Sequence, residues 1–81
     1  MKTVADRDIA LGRWTIDELL EGYVSWREEC QAVALAFGRL MASGRGERQL
    51  VYAAYFAALD REEHAARTYA HHVERARSIA K

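Results

Sequence analysis

The 81-residue chain has no proline, only one cysteine and no net charge. The absence of proline, together with abundant alanine, favours helix. One cysteine cannot form an internal disulfide, and a lone thiol points to a reducing compartment. A chain this short buries only ~60% of the surface that its unfolded form exposes. We therefore expect marginal stability unless a metal or association with another chain adds to it.

Neither charge nor hydrophobicity forms a long block. The chain has 12 basic and 12 acidic residues, and they are interleaved. Proteins that bind nucleic acid or membrane surfaces usually carry a clear excess of Lys and Arg, so neither partner is expected. No apolar run approaches the ~20 residues needed to cross a bilayer, and residues 1–13 lack the apolar core of a signal peptide. These absences predict a cytoplasmic protein.

A hydrophobic stripe runs from Trp14 to Met41. It consists of two series with a spacing of seven residues, namely Ile16, Tyr23, Cys30 and Phe37, and Leu19, Trp26, Val33 and Leu40. This spacing predicts a long helix with one apolar face, which another helix must cover. Cys30 lies within the stripe, so we interpret it as a small core residue rather than as a nucleophile.

The ends of this helix carry local signals. Thr15 and Glu18 form a capping box, and Trp14 and Leu19 stand at the positions of a hydrophobic staple, which predicts helix one over 15–42. Residues 2–13 are predicted to form an N-terminal arm or a short helix.

The glycine-containing segment 43–46 predicts a tight turn, followed by helix two over 47–79. The stripe of helix two consists of Tyr52, Leu59, Ala66, Val73 and Ala80, joined by Tyr55, Tyr69 and Ala76. Its many alanines form a thin side against which bulky residues of helix one can pack. The predicted packing residues are Trp14, Leu19, Tyr23, Trp26, Val33, Phe37, Leu40, Tyr52, Tyr55, Leu59, Tyr69 and Val73.

Glu62 interrupts the stripe of helix two. Folding the hairpin at Gly44 and Arg45 brings Glu62 close to Arg27, and a buried carboxylate needs a partner. We therefore predict an Arg27–Glu62 ion pair, and the same register sets Arg61 near Glu28.

The middle of the hairpin collects acidic residues and one histidine, which are Glu28, Glu29, Asp60, Glu62, Glu63 and His64. Di-iron bundle proteins use a Glu-x-x-His motif with both side chains on one face. Here the third residue after Glu62 is Ala65, so the motif is absent. A salt-bridged surface is the expectation, and a metal site in this cluster is the alternative.

The turn gathers Arg39, Arg45 and Arg48 beside the start of helix two. A solvated basic turn is the expectation. The alternative is an anion site, since free backbone N–H groups at a helix N-terminus can bind a phosphate of a nucleotide or of RNA.

Together these patterns predict an all-α fold, an antiparallel two-helix hairpin that pairs into a four-helix bundle homodimer. We expect a non-enzymatic interaction or scaffold protein that needs no cofactor and packs with itself or with another protein. Val24, Leu35, Leu50 and Val51 lie off the stripes and suggest a second apolar surface. In the alternative monomeric structure, residues 2–13 form a third helix that covers this surface.

Overall fold

Two long helices make up the computed structural model, which describes residues 4–80 and the side chains of residues 12–79. Helix α1 is Val4–Ala42 and helix α2 is Arg48–Ala80. Phe37 contacts Tyr55 near the turn, and Glu18 contacts His72 near the open end, so the helices are antiparallel. The resulting hairpin measures 69 × 14 × 14 Å. The predicted all-α two-helix hairpin is therefore confirmed.

The turn between the helices is held by short-range hydrogen bonds. The Ser43 hydroxyl donates to the Leu40 carbonyl over 2.7 Å, and the Glu47 N–H donates to the Gly44 carbonyl over 3.2 Å. No described residue has a positive φ, so the reversal does not use the left-handed conformation that glycine adopts readily. The turn lies at the segment that the glycines indicated, but without the backbone conformation that would require them.

The N-terminal part of α1 differs from the sequence-based expectation. The helix begins at Val4 and passes Gly12 and Thr15 without interruption. Inside a helix, backbone N–H groups bond to the carbonyls four residues earlier, so the capping box and staple at Thr15 have no free N–H to satisfy. Thr15 is instead a buried mid-helix residue. Residues 4–13 continue α1 and do not fold back as a third helix; residues 2 and 3 lie outside the described part of the chain.

The two helices meet along a row of small residues. Ala58 is 1% exposed, and Ala65 and Gly22 are also buried. A Cβ added at Gly22 would lie 3.0 Å from His72 Cδ2 and 3.7 Å from the Cα of Tyr69. The small side chains of this row let the helices approach closely. Glycine is a poor helix former, and the close contact that Gly22 permits compensates for this loss of helix stability.

The two heptad series of α1 are covered unequally by α2. Leu40 is buried and Trp26 is half-buried, whereas Ile16, Tyr23 and Phe37 of the other series are exposed. Two cylinders touch along a single line, so each helix covers only part of the other's stripe. No large side chain among the described residues is fully buried.

Alanine substitutions at two glycines of α1 test this packing. Gly38→Ala should raise the free energy of unfolding by up to ~1 kcal/mol, because alanine is the better helix former and the site is open. Gly22→Ala should gain less or destabilise, because its methyl group must displace the His72 ring. Urea unfolding at one fixed protein concentration measures both. Equal stabilisation by the two changes would contradict close approach at Gly22.

Candidate interaction surface

One long side of the hairpin is apolar and exposed. We call it the apolar face and define it by large side chains that are between 43% and 68% exposed, namely Ile16, Leu20, Tyr23, Phe37 and Met41 of α1 and Tyr52 and Phe56 of α2. The α1 members recur at intervals of three, four or seven residues or multiples of these, which is the spacing of one helix face. Because the helices are antiparallel, the corresponding rows of α2 border the same side of the hairpin.

Ring contacts join the two helices along this side. Near the turn, Phe37 lies 5.8 Å from Tyr55, and Phe56 lies 5.9 Å from Tyr55 and 6.1 Å from Tyr52 between ring centroids. These separations are typical of favourable aromatic pairs. The aromatic rings therefore form one continuous patch across both helices.

A second ring cluster occupies the middle of the hairpin. Trp26 stacks on Tyr69 with centroids 5.7 Å apart, and Tyr23 meets both rings edge-on at 6.2 Å and 5.7 Å. The Trp26 indole Nε1 also donates a hydrogen bond of 3.1 Å to Glu62 Oε1. Both residues of this hydrogen bond are half-buried, so Glu62 has its polar partner within the stripe.

The predicted Arg27–Glu62 ion pair is not among the ion pairs of the described residues. Arg27 is exposed, and Glu62 turns towards the inward series, where the Trp26 indole N–H is available. The Arg61 Nε lies 3.4 Å from Glu29 Oε2 rather than pairing with Glu28. The predicted register is therefore close to the observed one. The observed partners of Glu62 and of Arg61 each lie one residue away from the predicted ones.

The acidic cluster predicted in the middle of the hairpin is divided among separate partners. Glu29 pairs with Arg61, Glu62 accepts from Trp26, and Glu63 pairs with Arg67 one turn along its own helix at 2.6 Å. Among residues 12–79, no three His, Cys, Asp or Glu side chains come together in a way that could hold a metal ion. The metal alternative for this cluster thus has no supporting geometry in the described chain.

The side opposite the apolar face is polar. An open groove of about 530 Å³ runs along it and is lined by Gly22, Ser25, Glu29, Asp60, Arg61, His64, Ala65 and Thr68. Towards the open end, Glu18 Oε2 lies 3.7 Å from His72 Nδ1 and 3.5 Å from Arg75 Nη1, and the Arg75 guanidinium lies over the Trp14 ring at 5.2 Å. The hairpin is therefore amphipathic: one long side is apolar and the opposite long side is polar.

The basic tip is formed by exposed side chains. Arg39, Arg45 and Arg48 are all solvent-exposed, and the first turn of α2 contains no acidic residue. In the part of the chain that the structure describes, no ion pair involves these arginines. Anion binding at the tip stays a prediction.

The predicted packing residues divide into two groups. Those that α2 or α1 covers at least in part are Leu19, Trp26, Val33, Leu40, Tyr55, Leu59, Tyr69 and Val73, whereas Trp14, Tyr23, Phe37 and Tyr52 are exposed. Sequence reasoning missed Leu20, Met41 and Phe56, although each lies one residue beyond a stripe position and so borders the same face. Of the residues predicted to form a second apolar surface, Val24, Leu35 and Leu50 are exposed and Val51 is half-buried. By its spacing, Leu35 lies on a different side of α1 from the apolar face.

No family model matches the chain, and no curated protein or solved structure matches it. Over residues 4–80, neither helix includes a stretch with the length and hydropathy required to cross a membrane.

Double-mutant cycles test the partner of Glu62. Trp26→Phe combined with Glu62→Ala should show a coupling of about 1 kcal/mol in the free energy of unfolding, because each single change removes the same hydrogen bond to a charged acceptor. Arg27→Ala combined with Glu62→Ala is the matched control and should show coupling near zero. Thermal or urea unfolding of the six proteins gives both values. Coupling to Arg27 but not to Trp26 would restore the ion pair predicted from the sequence.

Proposed function

We propose that this chain is a non-enzymatic helical interaction protein that acts by helix–helix packing, with a second copy of itself as its first partner. The observation that carries the proposal is the absence of any fully buried large side chain among the described residues, together with the exposed apolar face. Exposed apolar patches of this extent are typical of protein interaction surfaces.

The energetics of a small domain support association. Large aromatic and aliphatic side chains contribute roughly 1.5–3 kcal/mol each when they move from water into a core. Here the seven members of the apolar face retain about half of their exposure, so much of this stabilisation is still unused in one hairpin. A second hairpin stacked on the apolar face would form a four-helix bundle, in which each heptad stripe is covered from two sides.

The one-sidedness of the face favours a closed dimer. From Ile16 to Met41 the face runs for about 38 Å along α1. The opposite side carries the polar groove with Glu29, Asp60, Arg61 and His64, which suits solvent rather than a third hairpin. An interface that uses the same patch on both copies closes as a twofold dimer and does not extend into a filament.

The free thiol of Cys30 fits the reducing conditions of the cytoplasm, where we propose that the protein acts. Helices of another protein with the same heptad spacing could occupy the same face, and such a partner would compete with self-association. The proposal assigns no reaction, metal or cofactor to the chain.

Sedimentation equilibrium on the purified chain tests the dimer. We expect twice the single-chain mass at tens of micromolar. Met41→Lys, on the apolar face, should raise the dimer dissociation constant at least tenfold, because a charge would have to be desolvated in the interface.

Leu35→Lys is the matched control, since Leu35 is 66% exposed and Met41 is 68% exposed on the same helix, but Leu35 points away from the apolar face. It should leave the dissociation constant unchanged. A wild-type monomer at these concentrations, or equal effects of the two substitutions, would refute the proposal.

A further inference from the structure

Two opposite charges interrupt the outer rows of the apolar face. On α1 the row at seven-residue intervals is Leu20, Arg27, Ala34 and Met41, and on α2 the corresponding row is Gln49, Phe56, Glu63 and Ala70. The members of a row share one side of the helix, and the eight positions follow the edges of the face. Over the length of the apolar face, Arg27 and Glu63 are therefore the two charged residues of these rows. Beyond the face, the same spacing continues to Arg13 on α1 and Arg77 on α2.

The two charges lie at the same level along the hairpin. Glu29 and Arg61 are paired across the helices, and Arg27 and Glu63 each lie two residues further from the turn on their own helix. They do not pair with each other within the chain, since Glu63 is bonded to Arg67 and Arg27 has no ion pair among the described residues. Both side chains are exposed and available to a second molecule.

Two further levels of the rows are matched in size. Leu20 lies level with Ala70, and Ala34 lies level with Phe56, so a bulky residue faces a small one at both. At the level nearest the turn, Met41 and Gln49 are both long, and the alternation stops there. Alternation of large and small side chains across facing positions is what close packing requires. The α1 row of one copy can therefore interlock with the α2 row of a second copy if the two hairpins lie side by side without a shift along their length.

We propose that two copies pair side by side with their turns at the same end, related by a twofold axis along the hairpin, so that Arg27 of each copy meets the partner's Glu63. This inference rests on the proposed dimer and adds its orientation. In this arrangement, every neighbouring pair of helices is antiparallel, and the dimer contains two equivalent Arg–Glu contacts. Charges at such flanking positions of helix bundles set the choice and orientation of partners.

The other twofold arrangement brings like charges together. If the turns lie at opposite ends, α1 packs on α1 of the second copy. A residue above the middle of the face in one copy then lies level with a residue equally far below the middle in the other copy. The face extends along α1 from Ile16 to Met41, so its midpoint lies within one turn of Arg27. Arg27 would then approach the partner's Arg27, and Glu63 would approach the partner's Glu63, which is unfavourable.

Charge reversal tests the orientation. Arg27→Glu alone and Glu63→Arg alone should each raise the dimer dissociation constant about tenfold at low salt, since each variant places two like-charged pairs in its homodimer. An equimolar mixture of the two variants should form a heterodimer close to wild type in affinity, because both contacts are then between opposite charges. Arg39→Glu, which reverses a charge outside the face, is the control and should leave the dissociation constant unchanged.

The alternative orientation has a different outcome in the same experiment. With the turns at opposite ends, each single reversal would dimerise as well as wild type, and the mixture would bind more tightly than wild type. Spin labels on Arg45→Cys in a Cys30→Ala background provide a second measurement. Our orientation predicts a separation comparable with the width of a bundle, whereas the alternative predicts one of about 50 Å, since each label then lies about 16 residues from the middle of the face.

The two levels of the proposal fail separately. A wild-type chain that stays monomeric would refute the dimer itself. A wild-type dimer that is unaffected by both single reversals, with distant labels, would refute only the orientation.

Discussion

The structure depends on the limited coverage that one helix can give another. α1 and α2 meet along the small residues Gly22, Ala58 and Ala65, and this close line of contact leaves one heptad series of α1 only partly covered by α2. A helix stripe that spans two series needs neighbours on two sides. The exposed apolar face is thus a direct consequence of a fold that has only two helices over residues 4–80.

Within the hairpin, most polar groups lie outside the apolar face or are paired at its edge. Glu62 stands at a stripe position, but its carboxylate accepts a hydrogen bond from the Trp26 indole and so satisfies two polar groups at the edge of the ring cluster. The Arg61–Glu29 pair and the contacts of Glu18 with His72 and Arg75 lie on the other side. This separation leaves Arg27 and Glu63 as the charges that border the proposed interface.

Local patterns were a good guide to element type and a poor guide to the N-terminal boundary. The heptad spacing from Trp14 to Met41 and the segment 43–46 predicted two helices and the position of the turn. The capping box at Thr15 predicted a helix start that α1 does not have. A capping box satisfies the free backbone N–H groups at the start of a helix. When the preceding residues are also helical, their carbonyls accept hydrogen bonds from the same N–H groups, so the cap is not needed.

The sequence by itself determined that the chain forms helices, where it reverses, and that a hydrophobic stripe needs covering, because these properties depend on residue spacing and on local backbone preferences. Only the tertiary structure decided which series turns inward, since that choice depends on where Gly22 and Ala58 allow two backbones to approach. It also decided that Glu62 bonds to Trp26 and not to Arg27. A difference of one residue in register changes cross-helix partners while leaving every local pattern unchanged.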